Sequence, residues 1–221
     1  LTAGVGTSVL EPSIPTGRIA AKTDADVLLY LNKIKEYENL ADNPPAEWKK
    51  HVLHFGGGKS DQEQSTIKFY LNNYRKTITD SLYGAHVDEI LKTSSAPIQI
   101  NASQQTRQSI DNGISLMTFF GHASGSGFDQ SIDDINSFNP APGHYPFLLA
   151  LGCYVGNIHT TGTSTSEDYT LTNKGVVGYL GSLNLGIPSA LNFYADEWYN
   201  QLALKSYGKS VGYIIQQTIK T

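Results

Sequence analysis

The chain has 221 residues, 16% of them charged, a formal net charge of -4 at pH 7 and a single cysteine. No Lys/Arg-rich block is present to displace counterions from phosphates, which argues against a nucleic-acid or anionic-membrane partner, and no apolar run approaches the roughly 18 residues of a membrane-spanning helix. One cysteine excludes an internal disulfide and any multi-cysteine zinc site. The length suits one domain, long enough for a three-layer core. The low charge content, with abundant Thr, Ser, Asn, Gly and Tyr, fits a secreted protein. A chain that starts at Leu1, with neither initiator Met nor signal peptide, reads as processed or as part of a longer protein.

In chain order, the first helix is expected over 24–39, where Val27, Leu28, Leu31 and Ile34 follow an apolar i, i+3, i+4, i+7 stripe and Thr23 caps with Asp26 at the third position. The Asn43–Pro45 break precedes "HVLHF", a short buried strand over 51–55, then "GGG" and a second helix over 61–79 with Ile67, Tyr70, Leu71, Tyr74 and Ile78 on one stripe. Further strands are expected at 86–91, 114–120, 146–152 and 175–181, and further helices at 103–112, 130–138, 166–173, 189–205 and 209–219. Continuously apolar strands are buried on both faces, and their alternation with helices is the pattern of an α/β protein with a mostly parallel sheet between two helical layers.

In such sheets ligands bind outside the carboxyl ends of the strands. "ISLMTFF" runs into "GHASGSG" and "PFLLALG" runs into "CYVGN", so His122 and Cys153 each follow a buried strand on a glycine-rich loop. If the two strands adjoin, the side chains meet at one rim. A thiol is mostly protonated near neutral pH and needs an imidazole to become a nucleophile. The plainer alternative is that Cys153 is a small buried hydrophobe, as free cysteines usually are, and that His122 is structural.

"LMTFFGHASGSGFD", "PFLLALGCYVGN" and "GVVGYLGSLN", with the upstream "IPTGRIAAKTDADVLLYLNKIKEYE", resemble in order and spacing the blocks of the gingipain family of cysteine peptidases, including the gingipain-like sortase of the type IX secretion system. The resemblance implies a caspase-like α/β/α sandwich over residues 1–221, with 1–22 leading into it and further domains in the parent protein. It implies cleavage of protein or peptide substrates through an acyl-enzyme, passed to water or to an amine. Cys153 would be the nucleophile and His122 the base and acid, with the N–H groups of Cys153 and Ala123 as oxyanion donors; the family usually has glycine where Ala123 stands. The family also orients its histidine with an upstream carboxylate. The candidates are Asp61 and Glu63, but "SDQE" reads as a capping box that assigns Glu63 to the helix start. Asp61, itself favourable to the helix dipole, stays the candidate acid of a site in which a dyad can suffice. No cofactor is implied, beyond the structural calcium of some relatives. The competing reading is an inactive caspase-like domain serving as a binding or scaffold module in a secretion or adhesion protein.

"GGGKS" does not complete a phosphate-binding loop, because the position of its first glycine is Leu53. His51, His54, His86, His144 and His159 lack metal-ligand spacing. By the family pattern Leu151, Ser182, Leu183 and Asn184 line the pocket for the residue preceding the cleaved bond, and their neutrality predicts little preference for basic residues. "SFNPAPGHYP" is expected as an exposed loop and "IHTTGTSTSEDY" as a mobile flap.

Overall fold

The computed structural model describes residues 14–40, 47–95, 103–124, 127–129 and 135–221. Five strands, β1 (His51–Gly56), β2 (His86–Leu91), β3 (Leu116–Phe120), β6 (Phe147–Leu151) and β7 (Gly178–Gly181), form one parallel sheet in the order β2-β1-β3-β6-β7. Between β3 and β6 the chain makes a two-residue antiparallel pair, β4 (Ala123–Ser124) and β5 (Gly127–Phe128). The α/β architecture with a parallel sheet is as the sequence implies.

Side-chain alternation divides the core in two. Leu53, Phe55, Met117, Phe119 and Leu148 enter one apolar layer with Ile110 of α3 (Ser103–Asn112) and Tyr169 of α4 (Thr165–Thr170). Val52, Leu116, Phe120, Leu149 and Leu151 enter the other, against α2 (Asp61–Thr79), α5 (Pro188–Asn200) and α6 (Val211–Ile219). The expected stripe of α2 holds: Ile67, Leu71, Tyr74 and Ile78 are buried, and full burial of each Leu or Ile contributes about 1.5–3 kcal/mol.

The stripe of α1 (Asp24–Asn39) does not. The helix and its Thr23–Asp26 capping box form as expected, yet Val27, Leu28 and Leu31 face outward, Leu28 with 59% of its surface exposed. The buried residue is Lys33, whose Nζ donates to the carbonyls of Thr170 (2.6 Å) and Thr172 (2.7 Å). Two charge-assisted hydrogen bonds to the β7-side loop orient the helix against its hydrophobic pattern.

Other boundaries shift for local reasons. The sixth to eighth residues of the expected 130–138 helix form a 3-10 turn at Ile135–Ser137, and its first five lie outside the described residues. The 189–205 helix ends in a π-helical turn, Gln201–Lys205, closed by Ser206 N–H donating to the Gln201 carbonyl (2.8 Å). The expected flap is not free. Ser164 and Glu167 form a buried capping box at the start of α4, and Lys22 bridges Glu167 (3.2 Å). "SFNPAPGHYP" is exposed only in its middle, since Phe138 and Tyr145 are buried and His144 stacks on Trp48 at 4.5 Å. Among the described residues no helix is long and apolar enough to cross a membrane.

Candidate active site

The chain leaves β1 toward β2 on one side and later places β3 on the other, so the sheet order reverses between β1 and β3, the kind of place outside whose carboxyl ends open α/β sheets bind ligands. β3 and β6 are adjacent and parallel, with Phe120 paired to Leu151. His122 and Cys153 therefore stand the same two steps beyond a matched pair. Gly121 N–H donates to the Leu151 carbonyl (3.1 Å), extending the register into both exits. Gly152 packs so closely under Ala123 that a Cβ there would lie 2.9 Å from the alanine methyl. His122 and Cys153, both half-buried, line one cavity of about 300 Å³.

The carboxylate at the imidazole is Glu63, not Asp61. Glu63 Oε2 lies 3.0 Å from His122 Nε2 and accepts the Lys59 N–H at 2.7 Å. These contacts, the Lys59 N–H first and His122 second, hold the Glu63 carboxyl below its ordinary range. A carboxylate only accepts, so Nε2 carries the hydrogen and Nδ1 is the nitrogen left with a free lone pair. Ser60 does cap the helix, accepting from Glu63 N–H at 3.3 Å. The carboxylate, however, reaches Lys59 and the histidine rather than completing the box. A first-turn Glu after Ser is fully explained by capping, which is why the sequence gives Glu63 away; the available signal was that its helix starts at the exit of the strand beside β3.

Cys153 ends in a sharp turn. Tyr154 has φ 58°, the one non-glycine residue with positive φ among those described, a conformation that costs of order 1–3 kcal/mol and concentrates at functional sites. The turn is laced to the loop after β7: Tyr154 N–H donates to Asn184 O and Gly156 N–H to Ser182 O, both at 2.9 Å, and the Ser182 hydroxyl bonds the Gly152 carbonyl. Gly186 N–H donates to Cys153 Sγ at 3.3 Å, and the thiol in turn faces the Gly186 carbonyl at 3.8 Å. Ser182 and Asn184 thus hold the cysteine turn through the backbone. Leu151 is buried in the sheet layer, and Leu183 lines a separate hollow across β7. These four positions, expected in a specificity pocket, are not among the residues lining the cavity at Cys153.

Behind the histidine lies a buried ion pair with no trace in the sequence pattern. Asp129 Oδ2 accepts Gly58 N–H (2.8 Å) and faces Lys92 Nζ (3.4 Å), while Asp129 N–H donates to the His122 carbonyl (2.9 Å). One residue, through its carboxylate and its N–H, so ties together the exits of β1, β2 and β3. The glycine tract serves this junction: Gly58 has φ +120°, and a Cβ on Gly57 would lie 2.0 Å from Asp129 Oδ1. Among the described residues no group of three or more His, Cys, Asp or Glu side chains is arranged to hold a metal ion.

The doubly wound sheet, with a thiol and a carboxylate-backed imidazole on adjoining strand exits, defines a caspase-like fold of the cysteine-peptidase type. The chain belongs to peptidase family C25, whose sequence model matches residues 5–221. Among solved structures it is similar to the Arg-specific cysteine proteinase gingipain R (RgpB), with TM-score 0.77, 15% identity, and 97% of this chain and 51% of that chain covered. It is also similar to the complex of Porphyromonas gingivalis RgpB pro- and mature domains (TM-score 0.76, 16% identity, 96% and 51% covered) and to a structure described as a protease (TM-score 0.64, 18% identity, 84% and 40% covered). The chain spans about half the length of the gingipain structures. No curated protein sequence matches it.

Proposed function

We propose that this chain is the catalytic domain of a cysteine peptidase that cleaves protein or peptide substrates through Cys153, His122 and Glu63. The observation carrying the reading is that His122 and Cys153, register-matched on β3 and β6, open into one cavity while Glu63 holds the imidazole from behind. His122 Nδ1 takes the Sγ proton, and the thiolate attacks the scissile carbonyl carbon. A C–S bond forms as the carbonyl π pair moves to oxygen. On collapse the C–N bond breaks and the imidazolium protonates the departing amine. Water or a second amine then attacks the thioester, passing its proton to His122 and releasing the thiolate. The Cys153 N–H has no hydrogen-bond partner among the described residues, which suits an oxyanion donor, and Ala123 N–H is the second candidate. Family membership and the composition support a role in secretion-linked processing of surface or secreted proteins.

Alkylation tests this. At mildly acidic pH, iodoacetamide is expected to label Cys153 rapidly, to slow on His122→Ala, and to slow less on Glu63→Gln, read by intact mass. The same His122→Ala change lowers kcat on a cleaved peptide by about 10²–10⁴-fold. A thiol equally slow in all three proteins would leave a scaffold with an inert cysteine. Incubating a cleaved peptide with and without an added amine distinguishes hydrolysis from transfer by product mass.

A further inference from the structure

The cavity beside Cys153 runs between two helices, and its walls differ in character from its mouth. At the mouth stand Glu63, His122 and Cys153; the walls are mainly Ile67 and Tyr70 of α2, Phe120 at the end of β3 and Leu191 of α5, with the uncharged polar Gln62 and Thr66 beside them. Glu63, Ile67 and Tyr70 fall on one helical stripe, so the cavity follows the face of α2 inward from the site. Tyr70 and Phe120 lie with ring centroids 5.5 Å apart, and exposed Phe69 lies 6.1 Å from Tyr70, continuing an aromatic wall toward the surface. One turn deeper Tyr74 hydroxyl donates to Asn192 Oδ1 (2.7 Å), linking α2 to α5. At the other lip, Leu185 and Ile187, exposed at 69% and 66%, flank the Gly186 whose N–H meets Sγ.

We infer that this α2–α5 cavity receives the side chain of the residue preceding the scissile bond, and that it selects an uncharged apolar one. The inference rests on the catalytic reading above and adds the substrate class. A residue acylating Cys153 holds its own side chain within reach of this space, and the walls supply apolar surface for it. A lysine or arginine there would need an acid. Glu63 is the single carboxylate among the lining residues, and both His122 and the Lys59 N–H already engage it. An unpaired cation among Ile67, Phe120 and Leu191 loses its hydration without compensation, and a substrate carboxylate would in addition meet Glu63 as a like charge. The cavity thus reads as a counterpart, with the opposite preference, to an arginine-selecting pocket.

Acyloxymethyl ketone peptides differing only in the residue next to the warhead test this, because they react on the acyl side alone. The thiolate forms a C–S bond to the methylene carbon and the C–O bond breaks to release the carboxylate. The full chain is treated with leucine, methionine, phenylalanine, lysine, arginine and aspartate probes, and Cys153 labelling is followed by intact mass, with iodoacetamide as the non-peptide reference. Apolar probes are expected to label at least about tenfold faster than lysine, arginine or aspartate probes, relative to the reference. Thr66→Asp, at an exposed position on the cavity wall, and Leu191→Asp should each shift the order toward lysine and arginine. A basic probe labelling fastest, equal labelling by all probes, or no shift in a folded Thr66→Asp variant would overturn the pocket assignment while leaving the catalytic reading intact if iodoacetamide labelling still depends on His122. Inertness of Cys153 to every reagent would defeat that reading, and the pocket with it.

Discussion

Asp129 is the residue on which three strand exits depend. It is buried, its partner Lys92 has a fully covered side chain, and it bonds the backbone beyond both β1 and β3. Removing one charge strands the other: Asp129→Asn or Lys92→Met alone is expected to cost about 3–5 kcal/mol in urea unfolding, whereas the Asp129→Asn, Lys92→Met pair should be less destabilising than the sum of these singles. Strict additivity would mean the two groups act independently. Gly57→Ala strikes the same point differently, because its methyl would enter the space of Asp129 Oδ1. The expected result is lost stability together with lost labelling of Cys153 in excess of that predicted from the unfolded fraction, since the His122 loop moves with Asp129.

Among the elements, α2 was the most legible, four of the five residues of its apolar stripe being buried. The strands were legible because a parallel sheet covered on both faces demands uninterrupted apolar runs. β4 and β5 were not, since two residues are too few to carry a period. α1 shows the limit of periodicity: the pattern marks a helix, but two hydrogen bonds from Lys33 outweigh it in deciding which face turns inward. For the site, His122 and Cys153 could be read from their places after buried strands. Glu63 and Asp129 could not, because their partners come from strands far away in sequence. Lys33 also yields a prediction. Burial lowers its pKa from 10.5 to about 8, so between those values the folded chain binds fewer protons than the unfolded one and this group makes stability rise with pH. Subtracting the profile of Lys33→Met from wild type, by urea midpoints from pH 7.5 to 10.5, should leave that rise; a flat difference would contradict it.

For the molecule as a whole, acid is the expected weakness. His54, fully buried where the sheet meets α5, shares a hydrogen bond with Tyr199 hydroxyl (2.9 Å), which in turn bonds Thr118 (2.6 Å) and stacks on Tyr74. Burial first, and then Arg75, pushes its pKa from 6.5 down to about 3. The unfolded chain takes up this proton below pH 6.5 and the folded one does not, so the contribution is complete above 6.5 and falls away as pH drops toward 3. His54→Gln should show a shallower loss of stability between pH 6.5 and 4 by thermal unfolding. Identical slopes would place acid sensitivity elsewhere.

The spacing of the thiol and the imidazole is a property of main-chain geometry. Hydrogen bonds between β3 and β6 are indifferent to which side chains the strands carry, so strand residues can be exchanged without changing the register that sets the two groups side by side. A chain sharing 15% of its residues with RgpB can therefore superimpose on it, while the cleft between α2 and α5, lined mostly by side chains, is free to diverge.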